Sequence, residues 1–340
     1  MPPLYELENV KRFYKGHPAL EIETLRLRKG SIVGLIGPNG SGKSTLLKLL
    51  AFLESPSEGI IRYRGKPAEP FSERIRSHVT LLTQEPYLMK RTVFKNVSYG
   101  LRIQNDQNRL KKRVHDALAL VGLSAENFAG RYWYELSTGE AQRVALAARL
   151  ILKPEVLLLD EPTASVDAAS VQIIKDTALM ARRTWGTTLV VASHDWEWLY
   201  SICDDICHLF RGRIFGTGRE NFVFGPWRRL SSDRWYKPLS SGERFGVCPP
   251  PHENAVALLH PDAIGLTALD SSSEKRRGWT VAGVISRLVA EKSDEFTLAV
   301  VRLGNLAINV RLSRNQVMDR RLYPGVHVRL HYDPTDIRWY

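Results

Sequence analysis

One run of residues constrains this chain more than any other. Gly37-Pro38-Asn39-Gly40-Ser41-Gly42-Lys43-Ser44-Thr45 follows a compact apolar stretch, Ser31 to Ile36, and leads into an apolar stretch from Thr45 to Leu53. The pattern G-x-x-x-x-G-K-[ST] between a buried strand and a helix is a phosphate-binding loop. Glycines let the backbone curl until its N–H groups face inward as an anion nest, and the following helix adds its positive end. Gly37, Asn39, Gly40, Ser41, Gly42, Lys43, Ser44 and Thr45 are therefore the candidate phosphate-binding residues. Lys43 brings a point charge to the β- and γ-phosphates of a nucleotide, Ser44 a hydroxyl for Mg²⁺, and Thr45 stands beside them.

A second constraint lies downstream. Val156-Leu157-Leu158-Leu159 is a fully apolar strand that ends in Asp160-Glu161. A strand buried on both faces holds two carboxylates rigidly at the carboxyl edge of a parallel sheet, where ligands of such sheets bind. Asp160 is the expected holder of Mg²⁺. Glu161 is the candidate general base, placed to polarise an attacking water. An Asp-Glu pair alone would read as a solvated loop; behind a phosphate loop it reads as chemistry.

Around these two motifs the pattern predicts an α/β fold. Tyr5 to Lys29 reads as an antiparallel pair of strands, and further strands fall at 60–64, 78–83, 155–159, 187–192 and 206–210. Amphipathic stretches at 92–103, 109–121, 140–152 and 168–183 predict helices between them. Such alternation implies a mainly parallel sheet covered on both faces. The character changes after Gly218. Residues 221–251, with Trp227, Trp235 and Tyr236, read as a connector that packs on something. Residues 252–340 read as short strands (279–288, 296–303, 306–312, 326–332) with turns at Gly304-Asn305 and Pro324-Gly325, a small all-β barrel-like domain. The expected organisation is thus 1–220, 221–251 and 252–340.

Composition narrows the partners. Lys and Arg number 48 against 36 Asp and Glu, a formal net charge of +12 that favours anionic partners. Three cysteines, Cys203, Cys207 and Cys248, make no disulfide framework and fit a reducing compartment. Two thiols four residues apart do not complete a zinc site. The first residues lack the basic flank and apolar run of a signal peptide, and no stretch approaches the roughly 18 apolar residues of a membrane span. Any membrane role is expected to come through a partner.

The order of motifs resembles the ATP-binding cassette family of transporters. Leu136-Ser137-Thr138-Gly139-Glu140 is similar to that family's LSGGQ signature, with Thr138 for the first Gly and Glu140 for the Gln. The resemblance implies that Ser137 and Gly139 reach the γ-phosphate of ATP held by a second subunit. It implies that Tyr14, with Phe13 as the alternative, stacks on adenine. Gln84 resembles the glutamine that senses Mg²⁺ and the permease, Ser165-Val166-Asp167 the D-loop, and His194 the switch histidine that contacts the γ-phosphate. The catalytic set implied is Glu161, His194 and Gln84; the metal set is Ser44, Gln84 and Asp160.

The resemblance further implies an ATP hydrolase with ATP and Mg²⁺ as cofactors, acting as a head-to-tail pair of identical copies. Its partners would be transmembrane permease subunits and, indirectly, an external substrate-binding protein, with no nucleic acid. Its place would be cytoplasmic, on the inner face of the cell membrane, with Tyr87-Leu88-Met89 exposed against the permease. Residues 252–340 resemble the TOBE domain of importer ATPases through His260-Pro261-Asp262-Ala263-Ile264 and the Ser271-Ser272-Ser273 to Gly278 stretch. Some such domains bind molybdate or tungstate, for which Ser271, Ser272, Ser273 and Lys275 offer groups. The run Leu47 to Pro56 also resembles ATPases of tungstate-type uptake systems. Phosphate, amino-acid and polyamine importers stay open, as do an exporter and a soluble nucleic-acid-acting ATPase of the same family.

Overall fold

The computed structural model describes residues 2–72, 75, 77–164, 166–195, 198–199, 202–217, 220–268, 278–290 and 295–339. The chain divides into two units, Met1–Thr217 and Gly218–Tyr340.

In the first unit, alternating apolar residues form the hairpin β1 (Tyr5–Tyr14) and β2 (His17–Leu27), with a register shift between Arg12 and Phe13. β4 (Glu58–Tyr63) pairs with the other edge of β1, and β5 (Lys66–Pro67) completes this antiparallel sheet. The second sheet holds β3 (Ile32–Ile36), β6 (Val79–Leu82), β7 (Val156–Asp160), β8 (Thr188–Ala192), β9 (Asp205–Phe210) and β10 (Arg213–Thr217), in the order β10-β9-β3-β8-β7-β6. All its pairings are parallel except that of the edge strand β10 with β9.

Every residue of β3, β7 and β8 is buried, which is why these strands are continuous apolar runs. Their alternate residues serve two separate cores. Ile32, Leu157, Leu159, Leu189 and Val191 face a helical core built from α2 (Val93–Val97), α3 (Tyr99–Ile103), α4 (Leu110–Leu120), α5 (Ala125–Phe128), α6 (Thr138–Leu150) and α7 (Ala168–Trp185). Val33, Leu35, Val156, Leu158, Val190 and Ala192 face α1 (Lys43–Leu50) and the antiparallel sheet. The helix expected over 92–103 forms as two short helices meeting at Ser98. Bonds from Ser98 N–H to Phe94 O (2.9 Å) and from Arg102 N–H to Ser98 O (3.1 Å) carry the chain across the joint.

The turn after α1 is unusual. Phe52 has φ +55°, the left-handed region that normally selects glycine, yet only 3% of it is exposed. Its ring stacks on Tyr5 at 5.9 Å and meets Tyr63 edge-on at 6.0 Å. Burial of an aromatic ring thus offsets a backbone cost of about 1–2 kcal/mol. Phe52→Ala is expected to lose ~3–5 kcal/mol. Phe52→Gly, which loses the same ring but relieves the left-handed backbone, is expected to lose about 1 kcal/mol less. Urea unfolding of the two variants checks that order, which is the reverse of the usual preference for Ala over Gly.

Among its described residues the second unit has three sheets: β11 (Asn221–Phe224), β15 (Val256–Leu259) and β21 (Arg338–Trp339); β12 (Arg228–Arg229), β13 (Trp235–Pro238) and β14 (Arg244–Val247); and the order β16-β20-β17-β18-β19. The last is antiparallel, from β16 (Gly265–Ala268), β17 (Trp279–Ala290), β18 (Phe296–Leu303), β19 (Leu306–Ser313) and β20 (His327–Tyr332), with α8 (Arg314–Asp319) after β19. The segment expected to be a connector, 221–251, is part of this unit. Trp227, Phe245 and Val247 lie in its core; Phe245 stacks on Tyr332 at 4.9 Å, and Trp227 N–H donates to Ala255 O at 2.6 Å. Its short strands, two to four residues each, carry too little alternation to be read as strands in sequence. Ser271, Ser272, Ser273 and Lys275 lie outside the described residues.

Candidate nucleotide-hydrolysis site

The parallel sheet places β3, β8 and β7 side by side, so the segments leaving their carboxyl ends converge. β3 delivers the loop of Gly37 to Gly42, β8 delivers Ser193-His194, and β7 ends in Asp160 with Glu161 next. This is the edge where sheets of this kind bind ligands.

Glycine is required where the loop begins and ends. A Cβ on Gly37 would stand 2.1 Å from the Leu209 carbonyl oxygen and 2.6 Å from Ser41 Oγ. Gly42, the N-cap of α1, has φ +103°, and a Cβ there would meet Ala19 O at 2.9 Å. Lys43 is buried and turns back into the loop, donating from Nζ to Gly37 O at 2.8 Å and Pro38 O at 3.3 Å. Burial lowers its pKa, against the pull of Glu161 and Asp160. Asp160 lies at the buried strand end. Burial pushes its carboxyl up, while a hydrogen bond from the Ser44 hydroxyl and the charges of Lys43 and Lys48 pull it down.

Glu161 sits at φ +45°, a strained conformation for a side chain of this size. Its Oε2 accepts from the backbone N–H of His194 at 3.1 Å. His194 Nε2 is 3.2 Å from Glu161 Oε1 and 3.0 Å from Asn39 Oδ1. The ring therefore bridges the phosphate loop and the carboxylate. The contact to Oε1 is not aligned as a hydrogen bond, so among the described residues this buried oxygen has no hydrogen-bond partner. A buried carboxylate oxygen with a free lone pair can take a proton from water. Beyond His194 the chain is anchored: Asp195 pairs with Lys175 of α7 at 2.5 Å and accepts from Trp198 N–H at 3.0 Å.

Ser137 and Gly139 form a different cluster at the start of α6. Ser137 Oγ accepts from Glu140 N–H at 3.3 Å, and Glu140 Oε2 accepts from Ser137 N–H at 2.8 Å, a reciprocal capping box. Glu140 thus does in this chain what a Gln could do there. Gly139 is buried; a Cβ on it would lie 2.6 Å from Asp167 Oδ2 and 2.7 Å from Ser170 Oγ. Asp167 in turn caps α7 through Ser170 N–H at 2.9 Å. Ser165 lies outside the described residues.

Tyr14 ends β1, 37% exposed, under the Arg12 guanidinium at 4.8 Å. Phe13 is half-buried. Gln84 is exposed in the loop after β6. The Tyr87-Leu88-Met89 segment splits: Tyr87 is 75% exposed, whereas Leu88 packs on the helical core and Met89 is held by Asn96 through both its N–H (2.8 Å) and its carbonyl (3.1 Å). The expectation of a fully exposed anchor therefore holds for Tyr87 alone, because Asn96 pulls the following backbone inward.

One residue escaped the reading of the sequence. Gln142 of α6 is buried, and its amide donates to Thr83 O at 3.2 Å and Pro162 O at 3.5 Å. It ties the loop carrying Gln84 to the loop carrying Glu161. A polar amide inside the apolar face of α6 was the available signal.

Residues 20–164 match the ABC transporter family. The chain is 35% identical over 209 residues, 61% of its length and 95% of the relative's, to the tungstate uptake system ATP-binding protein TupC of Peptoclostridium acidaminophilum. It is 39% identical over 231 residues, 64% of its length and 90% of the relative's, to the nickel import ATP-binding protein NikO of Rhodobacter capsulatus. Among solved structures, a dimeric ATP-binding cassette in a post-hydrolysis state with ADP and Pi is similar at TM-score 0.58 and 27% identity, covering 63% of this chain and 97% of that one. CbiO1 of Clostridium perfringens, part of an ABC transporter complex, is similar at TM-score 0.56 and 29% identity, covering 64% and 89%. Among the described residues no helix is long and apolar enough to cross a membrane. By these likenesses this chain belongs to the ABC transporter family as an importer-type ATP-hydrolysing subunit.

Proposed function

We propose that the chain powers uptake of an oxyanion, tungstate or molybdate, as a head-to-tail pair of copies under a membrane permease served by an external binding protein. The single observation that carries the catalytic part is the convergence of Lys43, Asn39, His194 and Glu161 from three adjacent strand ends. Lys43 exchanges the carbonyls of Gly37 and Pro38 for phosphate oxygens. Glu161, held by His194 N–H, takes the proton of the attacking water on Oε1. His194 reports the phosphates to Glu161, since the same nitrogen lies near both Asn39 and the carboxylate. Ser44 and Asp160 are oxygen donors already in contact, which suits a hard cation that takes few protein ligands. Mg²⁺ bound with the nucleotide would neutralise phosphate charge there, with Gln84 joining from its exposed loop.

Ser137 and Gly139 stand apart from this cluster within one chain. A second copy presenting them to the ATP would complete the site, and a two-fold pairing does this twice. Tyr14 would stack on the adenine. Tyr87 and the exposed Tyr132, Trp133 and Tyr134 supply an aromatic surface for the permease; the bridge between Thr92 and Tyr132 puts them on adjoining segments.

The oxyanion reading draws on TupC and on a sulfate/thiosulfate import relative from Chlorella vulgaris, 37% identical over 213 residues, 62% of this chain and 89% of that protein. The matched 209 residues with TupC make up 61% of the chain, so the second unit's part rests on Ser271, Ser272, Ser273 and Lys275. Deleting the gene in its source organism and measuring cell-associated tungsten, molybdenum and nickel by mass spectrometry tests the reading. A selective fall in tungsten or molybdenum is expected. A fall in nickel alone, or no change, would overturn the oxyanion assignment and leave the ATPase standing.

A further inference from the structure

The segment between α1 and β4 does more than close a turn. α1 begins at Lys43, the phosphate-loop lysine, and the chain leaves it through Phe52, whose ring is locked between Tyr5 and Tyr63. Two residues later Glu54 reaches back to the end of β1. Its carboxylate accepts a hydrogen bond from the Tyr14 hydroxyl, pairs with Arg12 at 3.0 Å and lies 3.7 Å from Lys48 Nζ. Only 20% of the Glu54 side chain is exposed. Arg12 is fastened a second time, donating to Ser55 O at 3.1 Å, and its guanidinium covers one face of the Tyr14 ring at 4.8 Å.

We infer that Glu54 and Arg12 are positioning residues for nucleotide binding: they hold the Tyr14 ring at a set distance and tilt from the phosphate loop, so that a single face is offered to the base. This rests on the reading of Tyr14 as the base-stacking residue. Tyr14 stands at a hairpin end, past a register shift and before the left-handed Lys15 (φ +49°) and Gly16 (φ +81°), where the backbone alone defines a ring poorly. The hydroxyl bond to Glu54 removes the ring's rotational freedom before the ligand arrives, and preorganisation of this kind lowers the cost of binding. Arg12 covers one face of the ring, which leaves the other for the base. Glu54 follows the helix that starts at Lys43 and ends at Leu50, so the phosphate-loop lysine and the carboxylate that grips Tyr14 belong to one continuous segment. Lys48, on the same helix, adds a second cation beside the Glu54 carboxylate.

The test measures binding of ATP and of inorganic triphosphate, which has the phosphates and no base, to the full chain by calorimetry. Tyr14→Ala is expected to weaken ATP by ~5–100-fold, the range a base–aromatic stack carries. Glu54→Met and Tyr14→Phe are each expected to weaken ATP by ~3–10-fold, and the double variant no more than Glu54→Met alone, because both remove the same hydrogen bond. Triphosphate binding is expected to stay within about twofold in all three, since the phosphate loop is untouched. Additive losses in the double variant, or an equal loss of triphosphate and ATP in Glu54→Met, would overturn the inference by showing a general effect on the fold. An unchanged ATP affinity in Glu54→Met beside a weakened Tyr14→Ala would overturn it while leaving Tyr14 in place. An unchanged affinity in Tyr14→Ala would remove the reading of Tyr14 and the inference with it.

Discussion

Glu161→Gln is expected to lower ATP hydrolysis by ~10²–10⁴-fold, the usual contribution of a positioned general base, while ATP binding survives. The two oxygens of Glu161 have different jobs. Oε2 accepts from His194 N–H, and a Gln amide oxygen can keep that bond. Oε1 is buried without a hydrogen-bond partner among the described residues, and an amide NH₂ in its place cannot accept a proton. Geometry should therefore be retained and chemistry lost. Under the proposed pairing, ATP that is bound and not hydrolysed should accumulate a dimer. Phosphate release and light scattering with and without ATP measure the two effects separately. A fall of less than about tenfold would place the proton acceptor elsewhere. A full loss of hydrolysis without a dimer would keep Glu161 and argue against pairing.

The second large effect concerns Lys43. Lys43→Met is expected to weaken ATP by ~10–100-fold, as loss of a charge-assisted contact to a buried phosphate implies. Turnover should fall by a further ~10²–10³-fold, because the same ammonium faces the charge that develops on the transferred phosphoryl group. Stability should move little. Burial already depresses the Lys43 ammonium, so an apolar side chain of similar length removes a desolvation cost while leaving the carbonyls of Gly37 and Pro38 without a donor. The two effects oppose, and urea unfolding without nucleotide should differ from the parent by no more than about 1 kcal/mol. Lys43→Arg should not rescue turnover, since a planar fork does not replace a compact ammonium inside a closed loop. ATP titration, steady-state turnover and unfolding of the same two proteins check this.

Much of the site was legible in the sequence because its chemistry depends on local runs. Glycine at 37 and 42 is demanded by backbone approach to Leu209 and Ala19, and such a demand leaves a mark at a single position. The buried strands before Gly37, Asp160 and His194 announce themselves as apolar runs, since parallel strands covered on both faces have no polar side. Thr138 and Glu140 depart from the family signature. The structure gives Glu140 a role as one half of a capping box, which is a matter of three residues and a helix start.

Other features depended on residues far apart in the chain. Asn39 and His194 are 155 positions apart, and their contact exists because β3 and β8 are neighbours in the sheet, an order that no local pattern encodes. Gln142 binds carbonyls of two loops 59 and 20 positions away for the same reason. Segment 221–251 read as a connector because strands of two to four residues carry no clear period; packing of Trp227 and Phe245 into the β-rich unit is what orders them. The sequence by itself determined which groups could touch phosphate, cation and water, because those properties belong to residue type and to runs of a few neighbours. Strand order, the Glu54 grip on Tyr14 and the His194 bridge were decided only by the tertiary structure, because a cooperative core sets long-range distances all at once.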